Sequence, residues 1–270
     1  STDEIVFSTN NTDGTTTYEW VNNNTATGLE ASGDGNIPSF VGTAGTSPEV
    51  STITVTPTYT NNGEECEGPS FTFSITVNPT PTMDAPPNIE VCNGEEVLID
   101  FTTENTGGVT TYEWSIINGP EIGLPDSTTD ITDSDSDITF TASNPDPDPR
   151  VVIVSVTPIF TNNGVECTTS PAETFTITVN PEPQIDDFTE TICEGDTFAS
   201  ILPENDTNGV VPSGTIYTWV IADESSDLII GGSASTTASA TIPGSELTLV
   251  NDTTSPQDLI YTVTPNTEEG

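Results

Sequence analysis

A period of about 101 residues runs through this chain, as in the step from Cys66 to Cys167, and it dictates separate domains rather than one continuous fold. Thr17-Tyr18-Glu19-Trp20 returns as Thr111-Tyr112-Glu113-Trp114 and, shortened, as Tyr217-Thr218-Trp219. Val55-Thr56-Pro57, then Thr60-Asn61-Asn62-Gly63 and Cys66, returns as Val156-Thr157-Pro158, Thr161-Asn162-Asn163-Gly164 and Cys167. Val263-Thr264-Pro265 starts the same block again. The closing segments Phe73–Pro79 and Phe175–Pro181 also match. A period of this size is one domain per repeat, well above the roughly 20–50 residues of a solenoid unit. The alignment predicts a partial repeat over 1–79, a complete repeat over 80–181 and a partial repeat over 182–270. The first is expected to lack its opening strand, because Glu4-Ile5-Val6 matches Glu96-Val97-Leu98, and the third its last strand. Pro-rich junctions, Asn78-Pro79-Thr80-Pro81 and Asn180-Pro181-Glu182-Pro183, separate them.

The local pattern inside a repeat is that of β-structure. Val152-Ile153-Val154-Ser155-Val156 and Phe175-Thr176-Ile177-Thr178-Val179 alternate apolar and polar residues with the period of a half-buried strand. Further strands are expected over Val97 to Thr102, Thr110 to Ile117 and Asp137 to Ala142. Asn62-Gly63 and Asn163-Gly164 suit a tight turn with positive φ and predict a hairpin between the last two strands. No segment keeps a helical period. About seven short strands in ~100 residues describe an antiparallel two-sheet sandwich of immunoglobulin type. Trp20, Trp114 and Trp219 recur at one position of the repeat, as a core residue would; a sugar-stacking platform is the competing role. The predicted fold is all-β, with tandem immunoglobulin-like sandwiches arranged as a rod.

Charge narrows the function. The sequence carries 43 Asp and Glu against one basic residue, Arg150, and a formal net charge of -42. Nothing in it can neutralise phosphates, which excludes nucleic acid as a partner, and it is ill suited to an anionic membrane surface. No stretch approaches the ~20 apolar residues of a membrane span. With neither histidine nor lysine, Ser-His-Asp and Cys-His nucleophile arrangements and Schiff bases cannot be built, and the chain is expected not to be an enzyme. No cofactor is required.

The acids offer one ligand reading. Asp133, Asp135 and Asp137, in the run Thr132 to Asp137, supply hard oxygen atoms of the kind calcium takes. Asp84, Asp186 and Asp187 do the same at the junctions. The run lacks the glycine and distal glutamate of a calcium loop, so a solvated acidic loop competes with a site.

Four cysteines fall in two sets, Cys66 with Cys92 and Cys167 with Cys193. Regular spacing in such a sandwich points to disulfides and an oxidising compartment. Pairing within a repeat joins Cys92 to Cys167 and leaves Cys66 and Cys193 to partners outside the chain. Pairing across junctions joins Cys66 to Cys92 and Cys167 to Cys193. The first makes each domain self-contained and is the expectation.

Several motifs together have a known counterpart: Cys92-Asn93-Gly94-Glu95 and Cys193-Glu194-Gly195-Asp196, the Tyr-x-Trp strand, Val-Thr-Pro-x-Tyr/Phe, Gly-x-Glu-Cys and the closing Thr-Val-Asn-Pro-x-Pro. In these the chain resembles the PKD-like, or immunoglobulin-like, repeats of very large surface adhesins of Bacteroidota, gliding-motility adhesins among them. The resemblance implies export by the type IX secretion system and a filament of tandem repeats attached to the outer surface. Its partners would be neighbouring repeats of the same chain and a substratum or extracellular glycan or protein. It also implies O-glycosylation at Asp-Ser/Thr motifs, which points to Ser127 and Thr253. Two other roles stand beside the structural stalk: a glycan- or protein-binding module, and a spacer domain of a secreted polysaccharide-degrading enzyme.

Overall fold

The computed structural model describes residues 2–125, 129–132, 137–168, 170–194, 196–223, 225, 227–242, 248–249 and 255–267. Asp133, Asp135, Ser127 and Thr253 lie outside them.

In the first repeat five strands form one sheet: β1 (Thr15–Asn22), β2 (Ser32–Asp34), β3 (Glu49–Asn61), β4 (Glu64–Glu67) and β5 (Phe71–Val77). The second repeat contains β6 (Ile89–Cys92), β7 (Glu96–Asp100), β8 (Val109–Asn118), β9 (Thr129–Thr132), β10 (Asp137–Thr141), β11 (Arg150–Asn162), β12 (Val165–Cys167) and β13 (Glu173–Asn180). The third contains β14 (Gln184–Ile185), β15 (Gly209–Val210), β16 (Ile216–Ile221), β17 (Ile229–Ile230), β18 (Ser235–Ser239), β19 (Thr248–Leu249) and β20 (Tyr261–Asn266). The fold is all-β, and every strand pair but one is antiparallel among the described residues.

The second repeat gives the clearest sandwich. One sheet runs β6-β13-β11-β8-β9 with β12 also on β11, and β7 pairs with β10 as the opposing layer. Alternation explains the core. Val152, Val154, Val156 and Phe160 of β11 are all buried, as are Phe175, Ile177 and Val179 of β13. All but Phe160 join Val97, Ile99, Ile138 and Phe140 of the opposing layer, with Tyr112 and Trp114 of β8, in one cluster. Trp20 and Trp219 hold the equivalent place in two further clusters, each drawn from one repeat.

Two recurring motifs acquire a physical reason. Asn163 and Gly164 have φ of 50° and 77°, Asn62 and Gly63 of 49° and 85°, so both turns use the left-handed region that Asn and Gly tolerate. The hairpin differs from expectation in its partner: it joins β11 to the three-residue β12, and β13 then returns along the same edge of β11. The proline of Val-Thr-Pro sits in the gap this leaves. The β13 pairing ends at Val156 and the β12 pairing starts at Phe160, so Pro158 lies where that edge needs no N–H.

Strand β6 is the opening strand that the first repeat lacks, and its direction was not anticipated. It runs parallel to β13, with Cys92 abreast of Asn180, and covers the outer edge of the sheet. In the first repeat β5 pairs only with β3 among the described residues. Phe73 and Ile75, counterparts of the buried Phe175 and Ile177, are accordingly half-buried.

Candidate functional site

The first junction is a packed structure. Pro79 and Pro81 are both buried, although Thr80 between them is exposed. The Asn162 side-chain amide, at the hairpin end of β11, donates to Asn78 Oδ1 at 2.9 Å. Thr106 N–H donates to the Thr46 carbonyl at 2.8 Å. Gly107 approaches so closely that a Cβ there would lie 2.9 Å from Pro48 Cδ, and its φ of 77° favours glycine as well. Thr46, Pro48 and Asn78 belong to the end of the first repeat where β3 starts and β5 stops. The hairpin end of one repeat therefore seats on the opposite end of the repeat before it.

Asn105 organises this seat. It is 7% exposed. Its Oδ1 accepts from Thr82 N–H at 2.7 Å and from the Thr82 hydroxyl at 3.1 Å, and its Nδ2 donates to the Thr80 carbonyl at 3.1 Å. One side chain thus ties the linker to the loop that carries Thr106 and Gly107. Two prolines with φ already fixed and a pinned linker leave few torsions free to bend. At the second junction Pro181 and Pro183 are half-buried.

The sequence-predicted ligand residues are scattered. Asp137 opens β10, with its backbone abreast of Asp100, while Asp133 and Asp135 fall outside the described residues. Asp84 accepts from the Thr102 hydroxyl at 3.1 Å, so this junction acid serves a local bond. Among the described residues no group of three or more His, Cys, Asp or Glu is placed to hold a metal. Arg150 is paired with Asp146 at 2.8 Å and donates to the Glu121 carbonyl at 2.6 Å. Trp20, Trp114 and Trp219 are 3–5% exposed, which leaves no face for sugar stacking.

All four cysteines are free thiols. Cys92 lies abreast of Asn180, one step beyond the Val179–Arg150 pair, whereas Cys167 lies abreast of Phe160. At about 3.3 Å per strand residue, that is roughly 35 Å along β11, against about 4.4–6.8 Å between Cα atoms in a disulfide. The structure does not bring the expected Cys92–Cys167 pair together. Cys66 lies abreast of Tyr59, at the end of β3 remote from the junction, so a Cys66–Cys92 bridge would have to span both repeats. The Cys-x-Gly-Glu/Asp motif itself is a turn: Glu95 Oε2 accepts from Cys92 N–H at 3.0 Å, and Asp196 Oδ2 from Cys193 N–H at 3.3 Å.

Sequence reasoning marked the junction by its prolines. It missed Asn105 and Gly107, whose only signal was an Asn-Thr-Gly-Gly loop of no distinctive kind, and it read the recurring Asn162 as part of the turn alone.

Residues 190–270 match the family model described as a PKD-like domain. No curated protein matches the chain. A solved structure of zebrafish RET cadherin-like domains 1 to 4 aligns over 88% of this chain at 10% identity, with a TM-score of 0.25. This chain spans 58% of that structure's chain, under two thirds of its length. The third repeat is thus similar to PKD-like domains, within a chain that is all-β and built of tandem immunoglobulin-like sandwiches.

Proposed function

We propose that this chain is a stretch of the stalk of a large, secreted cell-surface adhesin, a non-catalytic filament that serves adhesion and gliding motility. The observation that carries the reading is the first junction, where two buried prolines, the Asn162–Asn78 bond and the Thr106–Thr46 bond fasten one repeat to the next. A spacer that must hold reach needs stiff joints, and a binding module does not. The match of residues 190–270 to a PKD-like domain supports an extracellular place, and the motifs quoted above resemble those of gliding-motility adhesins such as SprB. Attachment at the outer membrane, with substratum, extracellular glycan or protein as the contact, belongs to the same proposal. Among the described residues no helix is long and apolar enough to cross a membrane.

The test is fluorescent antibody against this segment on living cells of the source organism. Label that travels along the cell surface is expected. Stationary label would remove motility and keep the static stalk, and label confined to the medium would overturn the proposal in favour of a secreted spacer.

A further inference from the structure

We propose that the cysteines of these repeats form disulfides between consecutive repeats, joining the Cys92-type thiol of one to the Cys167-type thiol of the next. The structure puts the two cysteines of one repeat at opposite ends. Cys167 belongs to the hairpin end, beside Asn162, which seats on the preceding repeat; Cys92 lies at the far end, abreast of Asn180. A bridge within a repeat would have to run the length of β11, and a bridge across a junction has no such distance to cover.

The first junction indicates how near the two come. Asn78 is the counterpart of Asn180 in the matched closing segments. A strand laid along β5 as β6 lies along β13 would put its cysteine abreast of Asn78, about 4.8 Å away. Asn78 is the residue bonded to Asn162 across the junction. Cys167 is on β12, two residues beyond Val165, the partner of Asn162, and β12 shares the β11 edge that β13 uses. Both thiols therefore flank one contact. Exposure agrees: Cys66 at the free hairpin end is exposed, whereas Cys167 beside the junction is half-buried. In an array continued past the block that Val263-Thr264-Pro265 begins, Cys92 would pair with the hairpin cysteine of the third repeat. The four cysteines present have no mutual partners in this pattern.

Bridge formation is a two-electron oxidation. Each thiol loses a proton and an electron, the S–S bond forms, and an exchanging disulfide of an oxidoreductase or small molecule is reduced to two thiols. The inference stands apart from the stalk reading, since any tandem array of these repeats would form the bridge.

The experiment completes the third repeat. Residues 1–267 are followed by a second copy of residues 161–181, which places a hairpin cysteine after β20 in the register of Pro265 with Pro158. After oxidation with glutathione disulfide, a non-reducing peptide map is expected to link Cys92 to the grafted cysteine, with Cys66, Cys167 and Cys193 free. A Cys92–Cys167 or Cys66–Cys92 link, or a reduced Cys92, would overturn the proposal. The 270-residue chain is an independent check that needs no graft. Oxidised in the same way as a dilute monomer, it should show no disulfide between two of its own cysteines in a non-reducing peptide map, only thiols and mixed disulfides with glutathione, and any link among its four cysteines would overturn the proposal as well.

Discussion

Replacing Asn105 with alanine should loosen the first junction and leave the core of the second repeat intact. The side chain makes two bonds to backbone groups of the linker, from Thr82 N–H and to the Thr80 carbonyl, and accepts two more from the hydroxyls of Thr82 and Thr103. The Thr82 hydroxyl belongs to an exposed residue and can turn to water, and the Thr103 hydroxyl keeps the Thr82 carbonyl as its acceptor, so the loss of these two counts for little. Each of the others is worth about 0.5–1.5 kcal/mol, which makes the expected cost about 2 kcal/mol. At about 1.4 kcal/mol per factor of ten, that is roughly a 30-fold rise in the local opening constant. Hydrogen exchange by mass spectrometry reads this directly, because local openings are distinguished from global unfolding. The amides of Thr82 and Thr106 should exchange roughly 30-fold faster, while those of Val152, Val154 and Ile177, deep in the sandwich, keep their rates. Asn105→Asp should be at least as disruptive, since it sets a carboxylate against the Thr80 carbonyl. Unchanged exchange at Thr82 and Thr106, or an equal acceleration throughout the repeat, would refute the assignment of Asn105 as a junction clasp.

Four further outcomes follow from the charge pattern and the core. Raising NaCl from 10 to 300 mM should raise Tm, because screening shortens from ~30 Å to under 10 Å and 43 acids face one base; a change of about 1 kcal/mol per repeat corresponds to roughly 4–8 °C. Calcium and magnesium at equal ionic strength should act alike, and a rise specific to calcium would instead locate a site at Asp133, Asp135 and Asp137. Native protein should resist trypsin, because Arg150 opens β11 and its side chain is engaged with Asp146 and the Glu121 carbonyl; cleavage at more than one position, read by gel, would contradict the sequence. Burial raises the pKa of Tyr217, whose hydroxyl has no partner among the described residues, so the folded state holds the neutral phenol. Its contribution is therefore complete below the ordinary tyrosine value of about 10 and is lost as pH rises past it. Melts at pH 8 and pH 10.5 should show alkaline destabilisation of the third repeat that Tyr217→Phe reduces; identical slopes in the two proteins would refute this.

What could be read from the sequence was whatever depends on neighbours along the chain. The alternation in Val152–Val156, the Asn163-Gly164 turn and the recurring tryptophan each follow from local geometry, and the strands appear where those signals put them. What escaped depends on pole and register. Cys92 and Cys167 carry the same symbol at matched spacing, yet whether they share an end of the sandwich depends on β6 running parallel to β13. Four residues at Ile89–Cys92, with no hairpin turn to announce them, do not disclose that direction. Asn105 escaped for a different reason: an asparagine that caps a linker and one that decorates a loop look identical until the loop is seated. The β11 strand extends through Pro158 because its neighbours leave a gap there, a fact about partners that composition does not contain.

The parallel pair β6 and β13 carries a mechanical meaning. The chain enters β6 at Ile89 and leaves β13 at Asn180, and the two strands lie side by side, pointing the same way. Tension along the chain pulls β6 backwards and β13 forwards, so the strands are asked to slide past one another. Sliding loads all the rungs of the ladder together, along with the bond from Asn93 N–H to the Asn180 carbonyl at 2.9 Å. A hairpin pulled from its open end would instead lose its rungs one at a time. The repeat is therefore held in shear, the arrangement in which a short ladder resists extension best, and its first strand acts as a latch on its last.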